Sequence, residues 1–224
     1  MLDSRIDRSK ATLAHQVEEQ LRRQIVRGDR PIGSRLNEAE IAASLDVSRG
    51  PVREALQRLA RDGLVVIEPH RGASVRSLNR DELVELFAVR IALESEAVGI
   101  AAERIGDDEV KALNHMQLQS VTAVAIEGDG SFPDVIDLHE FIANVSANTR
   151  LAVAVQQVNQ ELRLVRSRSG ASAQRAEEAL REHQALVDAL QMRDSDQARL
   201  CMRQHLKASL ANTLEMMFSD STTS

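Results

Sequence analysis

The chain holds 224 residues, 43% hydrophobic and 28% charged, with four Phe, no Trp, no Tyr and a formal net charge of −6. This balance fits a soluble globular protein with an aliphatic core, and no apolar run nears the roughly 20 residues of a membrane span. The single Cys201 excludes an intrachain disulfide and suits a reducing cytosol, and "MLDSRIDRSK" lacks the apolar core of a secretion signal, so a cytoplasmic protein is expected.

Charge divides the chain. Residues 1–78 carry 14 Lys/Arg against 11 Asp/Glu, and residues 79–224 carry 14 against 23. A basic front and an acidic back predict two domains with different partners. The front, 1–78, would meet a polyanion. The back, 79–218, would bind something small, and "SDSTTS" at 219–224 reads as a disordered tail.

The first expected element is a helix over 11–27, with Val17, Leu21 and Ile25 on one stripe and Gly28 as its stop. "DRPIGSRL" reads as a loop. "NEAEIAASLD" opens with Asn37 as an N-cap and has Glu40 at the capping-box spacing. After the tight turn "VS", Ser48 caps the next helix and Pro51 falls in its first turn, where a missing N–H costs little. In "SRGPVREALQRLARDG", Val52, Ala55, Leu56 and Leu59 make one buried face. "LVVI" and "ASV" are short strands around the turn "EPHRG". This order predicts a winged helix-turn-helix, whose second paired helix enters the major groove of double-stranded DNA.

Arg49 and Arg53, i and i+4 on the outward side of that helix, then meet DNA. Arginine's planar fork bonds guanine O6 and N7 together, and equally grips phosphate. Ser48 stands beside them, and Gly50 leaves room for close approach. His70, Arg71 and Gly72 at the wing tip reach the DNA backbone or the minor groove, and Arg35 is a phosphate contact. The plainer alternative is that helix arginines are solvated surface, with Arg58 and Asp62 an ordinary i, i+4 pair. Position favours DNA for Arg49 and Arg53, and surface for Arg58 and Arg61.

The segment "LNEAEIAASLDVSRGPVREALQRLARDGLV…RGASV" closely resembles the DNA-binding domain of GntR-family bacterial transcription regulators. The rest of the chain resembles their FadR-like branch, whose C-terminal effector domain is called FCD. The resemblance puts Arg49 and Arg53 on the family's DNA-contacting arginines and Gly72 on its wing glycine. Some members carry a further contacting arginine where this chain has Ala39, so that contact is expected to be missing.

The back half reads as all helix. "LNRDELVELFAVRIALESEAVGIAAERI" begins with an Asn79…Glu82 capping box. Further helices are expected at about 107–127, 131–147, 149–168, 172–193 and 194–218, with loop signals in "EGDGSFP" and "RSGAS". The fold class is therefore mainly α, a winged head plus an all-α bundle, and six helices resemble the shorter form of the FCD domain.

Three histidines project from apolar stripes: His139 with Val135, Leu138 and Ile142; His183 with Leu180, Leu186, Val187 and Leu190; His205 with Cys201, Met202 and Ala208. Each alone reads as a satisfied core histidine. Converging, they could hold a divalent metal of the zinc, nickel or manganese class, since neutral imidazole is a common ligand. The resemblance places all three on the metal-binding histidines of FCD domains. The family's fourth ligand is an aspartate four residues before the first histidine, and that position here is Val135. Asp134 and Asp137 do not share the face of His139 on a regular helix, and a local bulge would be needed to bring Asp134 in. The alternative is a metal-free pocket in which the histidines bind an anion directly.

Leu83, Phe87, Arg90, Glu94, Ala97 and Ala101 form another stripe, so Arg90 points inward. It either makes a buried pair with Glu94 or grips a ligand carboxylate in a bidentate bond. "VRIALE" resembles the stretch that lines the family's effector pocket. Asn148, in "SANTRL", is a further family residue for that pocket and equally a cap for the next helix. The expected whole is a homodimeric, ligand-controlled transcription regulator. A small organic acid would be bound by Arg90, Asn148, His139, His183 and His205. The rival is a metal-dependent enzyme fused to a DNA-binding head, in which three histidines activate water. It lacks a second carboxylate or nucleophile placed as a base. A constitutive DNA-binding scaffold is a further alternative.

Overall fold

A computed structural model describes residues 12–127, 136–166 and 173–218. The chain forms two compact units that part between Ser77 and Leu78. No helix among the described residues is long and apolar enough to cross a membrane.

The first unit runs α1 (Leu13–Val26), β1 (Arg35–Leu36), α2 (Glu38–Ser44), α3 (Arg49–Arg61), β2 (Val65–Glu68) and β3 (Gly72–Val75). Thr12 caps α1 by accepting the His15 amide. The helix buries Ala14, Val17, Leu21 and Ile25, one stripe at helical spacing, and packs on α3. Gly28 follows at φ 81°, a left-handed conformation that glycine adopts without a side-chain clash. From α3, Val52, Ala55, Leu56 and Leu59 are buried in the same core. Each such aliphatic side chain larger than alanine stabilises by about 1.5–3 kcal/mol when fully buried. The seam between α1 and α3 is thus apolar, and the arginines of α3 are left to the other face.

Three local expectations change in the structure. Asn37 accepts the Ala39 amide at 2.9 Å, but Glu40 bonds the Asn37 side-chain amide at 3.0 Å rather than its backbone, so only half of a capping box forms. Ser48 stands at the N-cap of α3 without a side-chain capping bond. The end of "DRPIGSRL" is not loop but β1, with Arg35 opposite Ser74 and Leu36 opposite Ala73. The sheet is antiparallel with order β1-β3-β2. Two residues carry no alternation to read; pairing with β3 makes them a strand.

The second unit runs α4 (Arg80–Arg104), α5 (Asp107–Glu127), α6 (Ile136–Val145), α7 (Thr149–Arg166), α8 (Ala173–Gln191) and α9 (Ser195–Phe218). The Asn79…Glu82 capping box is complete, with both bonds at 2.9 Å. The helix it starts is central, packing on α6, α7, α8 and α9. At Gly99 of α4 an added Cβ would come within 2.1 Å of the Arg199 guanidinium carbon, so glycine makes room for that side chain. Leu83 and Phe87 pack with Val158 and Leu162 in one apolar cluster. Ala97, Ala143 and Val155 form another. A third joins Val98 and Ala101 to Leu186, Leu190, Met202 and Leu206. The expected helix start at 131 and the tail at 219–224 lie outside the described residues.

Candidate functional site

The N-terminal end of α3 presents Ser48, Arg49, Gly50 and Arg53, all exposed. An added Cβ at Gly50 would meet nothing within 4 Å. The fold itself does not require glycine there. Arg53 is held by Glu38 of α2, with Nη2 to Oε2 at 2.9 Å and Nε to Oε1 at 3.2 Å. That pair sets the direction of the guanidinium. Arg58 does not pair with Asp62. It bonds Glu54 at 2.6 Å and approaches Glu18 at 3.6 Å, while Asp62 takes Arg22 of α1. Arg58 thus keeps an i, i+4 partner, but Glu54 in place of Asp62.

At the wing tip His70 has φ 63° and Gly72 φ 86°, so the turn between β2 and β3 is tight. Arg71 is exposed, with Glu68 at 3.4 Å. Arg35 donates from Nη2 to the Arg71 carbonyl at 2.9 Å. It braces the wing from β1, a role that follows from the strand pairing and has no signal in the local sequence.

In the second unit the three histidines come together. His139 of α6, His183 of α8 and His205 of α9 are each at most 4% exposed. One potential ligand atom from each lies within 4.8 Å of the others. The Nε2 atoms of His183 and His205 are 3.3 Å apart. Two carboxylates stand behind the rings. Glu94 meets His139 Nδ1 at 2.5 Å, and Glu182 meets His205 Nδ1 at 2.7 Å. Glu182 is itself clamped by both terminal nitrogens of Arg175 at 2.9 Å.

These contacts set protonation. Burial pushes the His205 pKa down to about 4, against the opposing pull of Glu182, so the ring is neutral near pH 7. Its proton then sits on Nδ1, facing Glu182, and its Nε2 lone pair faces the cluster. Burial alone would raise the Glu94 pKa, but Arg90 and His139 more than offset this and hold it well below the usual carboxylate range. Glu94 is therefore an anion that bridges Arg90 and His139.

Arg90 is 1% exposed and donates from Nε to Glu94 Oε1 at 2.7 Å. Its Nη1 and Nη2 have no hydrogen-bond partner among the described residues. The expected buried pair with Glu94 forms, and two nitrogens of the guanidinium are left over from it. Leaving such buried donors unsatisfied costs about 1–3 kcal/mol or more. Asn148 is exposed at the start of α7, where its Oδ1 accepts the Leu151 amide at 3.2 Å. It lines a surface cleft with Glu140, Asn144 and Gln156, apart from the buried histidines. Asp134 and Val135 lie outside the described residues. The acids behind the histidines were not foreseen in that role. Glu94 was legible only as a partner for Arg90, and Glu182 reaches His205 across two helices.

A winged head bearing outward arginines, followed by a helical bundle enclosing histidines and an arginine, defines the class of DNA-binding transcription regulators. Residues 13–75 match the family described as bacterial regulatory proteins, gntR family, and residues 85–208 match the FCD domain. The chain belongs to the GntR family of transcription regulators, with an FCD domain as its C-terminal unit. It is 31% identical to the HTH-type transcriptional regulator YdhC of Bacillus subtilis (strain 168), covering 84% of each chain. It is also 31% identical to the HTH-type transcriptional repressor RspR of Escherichia coli (strain K12), over 84% of this chain and 82% of that one. A solved GntR transcriptional regulator from Rhodococcus sp. RHA1 superposes with a TM-score of 0.73 at 28% identity, covering 90% of this chain and 97% of the other. These relatives are regulators, and the protein is a regulator rather than an enzyme.

Proposed function

We propose that the protein is a cytoplasmic, homodimeric regulator whose grip on operator DNA is set by a small carboxylate bound at Arg90. The observation that carries this is the pair of unpartnered guanidinium nitrogens, buried beside an anionic Glu94. A carboxylate accepts from both at once, in the end-on bidentate mode. The charge balance then asks for a cation. Arg90 and Glu94 cancel, so an incoming acid adds an uncompensated negative charge to a buried site. The neutral His205 does not offset it.

A divalent ion held by His139, His183 and His205 does. Their convergence, and the carboxylates behind two of the rings, fit the donor set of such an ion. When bound, it would supply positive charge and open coordination positions to an oxygen ligand.

In the head, residues 1–78, Arg49 and Arg53 would read base edges or grip phosphate, with Ser48 and Gly50 allowing close approach. Arg35, His70, Arg71 and Gly72 would hold the DNA backbone or minor groove. The second unit, 79–218, would carry the ligand and the dimer contact. The ligand controls DNA binding only if its affinity differs between the DNA-competent and incompetent states.

Native mass spectrometry of protein purified without chelators or a His-tag column tests the assembly. A dimer that retains a divalent ion is expected. A dimer that stays metal-free after metal addition would give the histidines to the anion directly. A strictly monomeric protein would overturn the homodimer.

A further inference from the structure

Asn159 on α7 is fully buried, and neither Nδ2 nor Oδ1 has a hydrogen-bond partner among the described residues. A buried side-chain amide with both poles unsatisfied is rare in protein interiors and calls for an explanation. Its place supplies one. Val155, Asn159 and Leu162 fall at i, i+4, i+7, the inward stripe of α7. Leu162 and its neighbour Val158 pack with Leu83 and Phe87 of α4. Val155 packs with Ala97 of α4 and Ala143 of α6. On α4, Arg90 and Glu94 lie between Phe87 and Ala97. By this register Asn159 falls on α7 between the same two apolar clusters that flank Arg90 and Glu94 on α4.

Arg90 and Asn159 together hold four polar atoms without a hydrogen-bond partner among the described residues: Arg90 Nη1 and Nη2, and Asn159 Nδ2 and Oδ1. Three are donors and one is an acceptor. A carboxylate offers only acceptors, so it satisfies the arginine and leaves Asn159 Oδ1 without a donor. An ammonium group would donate to Oδ1 but could not accept from Nδ2, and it would bring a cation towards Arg90. A hydroxyl both donates and accepts, and so answers both poles of the amide. We infer that Asn159 is a specificity-determining residue of the ligand site and that the ligand is a hydroxy-substituted carboxylic acid. The inference rests on the carboxylate reading of Arg90; the hydroxyl is the new element.

The test is isothermal titration of the full-length protein with two pairs of acids, L-malate against succinate and lactate against propionate. The wild type is expected to prefer the hydroxylated member of at least one pair by about tenfold or more, because a site that hydrogen-bonds a hydroxyl rejects the analogue lacking it. Asn159→Leu, close in volume and apolar, is expected to erase that preference by weakening the hydroxylated member about tenfold or more. Should the leucine variant not fold, Asn159→Ala is expected to give the same loss of discrimination. Arg90→Ala separates the two layers of the argument. If Arg90→Ala abolishes binding while Asn159→Leu keeps the wild-type preference, the hydroxyl inference fails and the carboxylate site stands. If all the acids still bind Arg90→Ala, or none binds the wild type, the carboxylate site fails and takes the inference with it.

Discussion

The two units use arginine in opposite ways. In the head, Arg49 and Arg53 stand in water on the far side of a helix whose other face is wholly aliphatic. In the bundle, Arg90 lies at the centre, on a stripe that is otherwise mostly apolar. An exposed arginine costs the fold little, and its pairing, as of Arg53 with Glu38, stands in water. A buried one must be compensated, and Glu94 compensates the charge of Arg90 but not two of its nitrogens. A surface site can therefore be altered without unfolding its domain, whereas a buried one is part of the structure that holds it.

The largest effect expected is from Glu94→Gln. It leaves Arg90 without its counter-charge and weakens the hold on His139, and breaking a buried pair in this way costs about 3–5 kcal/mol. Denaturant unfolding should show the second unit destabilised and the first unchanged; equal stability in the variant would mean that the pair is solvated and the contrast false.

Acidification acts on the same unit. The folded His205 pKa, about 4, lies below its ordinary 6.5, so the unfolded chain takes up the proton first. That contribution to stability is complete above 6.5 and is lost as pH falls from 6.5 towards 4. Glu94, held low, adds a loss at still lower pH. Urea midpoints of chelator-treated protein across this range should fall for the bundle before the head.

Arg49→Ala should do the reverse, leaving unfolding untouched while weakening operator binding by about 1–3 kcal/mol if the side chain reads a base. Fluorescence anisotropy with labelled operator measures it, and an unchanged affinity removes Arg49 from the interface. Gly50→Ala is the mildest change. Since nothing in the fold meets the new methyl, stability should shift by no more than about 0.5 kcal/mol. Operator affinity should nonetheless fall in a gel-shift titration, because the methyl intrudes on the approaching DNA.

The same contrast governs what was legible in the sequence. Helical spacing of apolar residues identified the α1 and α3 faces, the inward turn of Arg90 and the three histidine stripes, because burial repeats every three or four residues. The Asn79…Glu82 box was legible because it closes within one turn. Contacts that join distant segments left no such trace. The β1 strand needs β3 beside it, Arg35 needs the carbonyl of Arg71, and His205 needs Glu182 from another helix. Asn159 was also silent, since one polar residue among Val155, Val158 and Leu162 is noticed only when its lack of partners is seen.

The capping box at Asn79 has a mechanical consequence. It locks the first turn of α4, the helix that begins two residues after the boundary between the units. Arg90 stands eleven residues further along, about 16 Å at 1.5 Å per residue. A frayed first turn would absorb an axial push or a small rotation within that distance. A locked one keeps its geometry, so a displacement of Arg90 would be carried to the first turn of α4 rather than absorbed there.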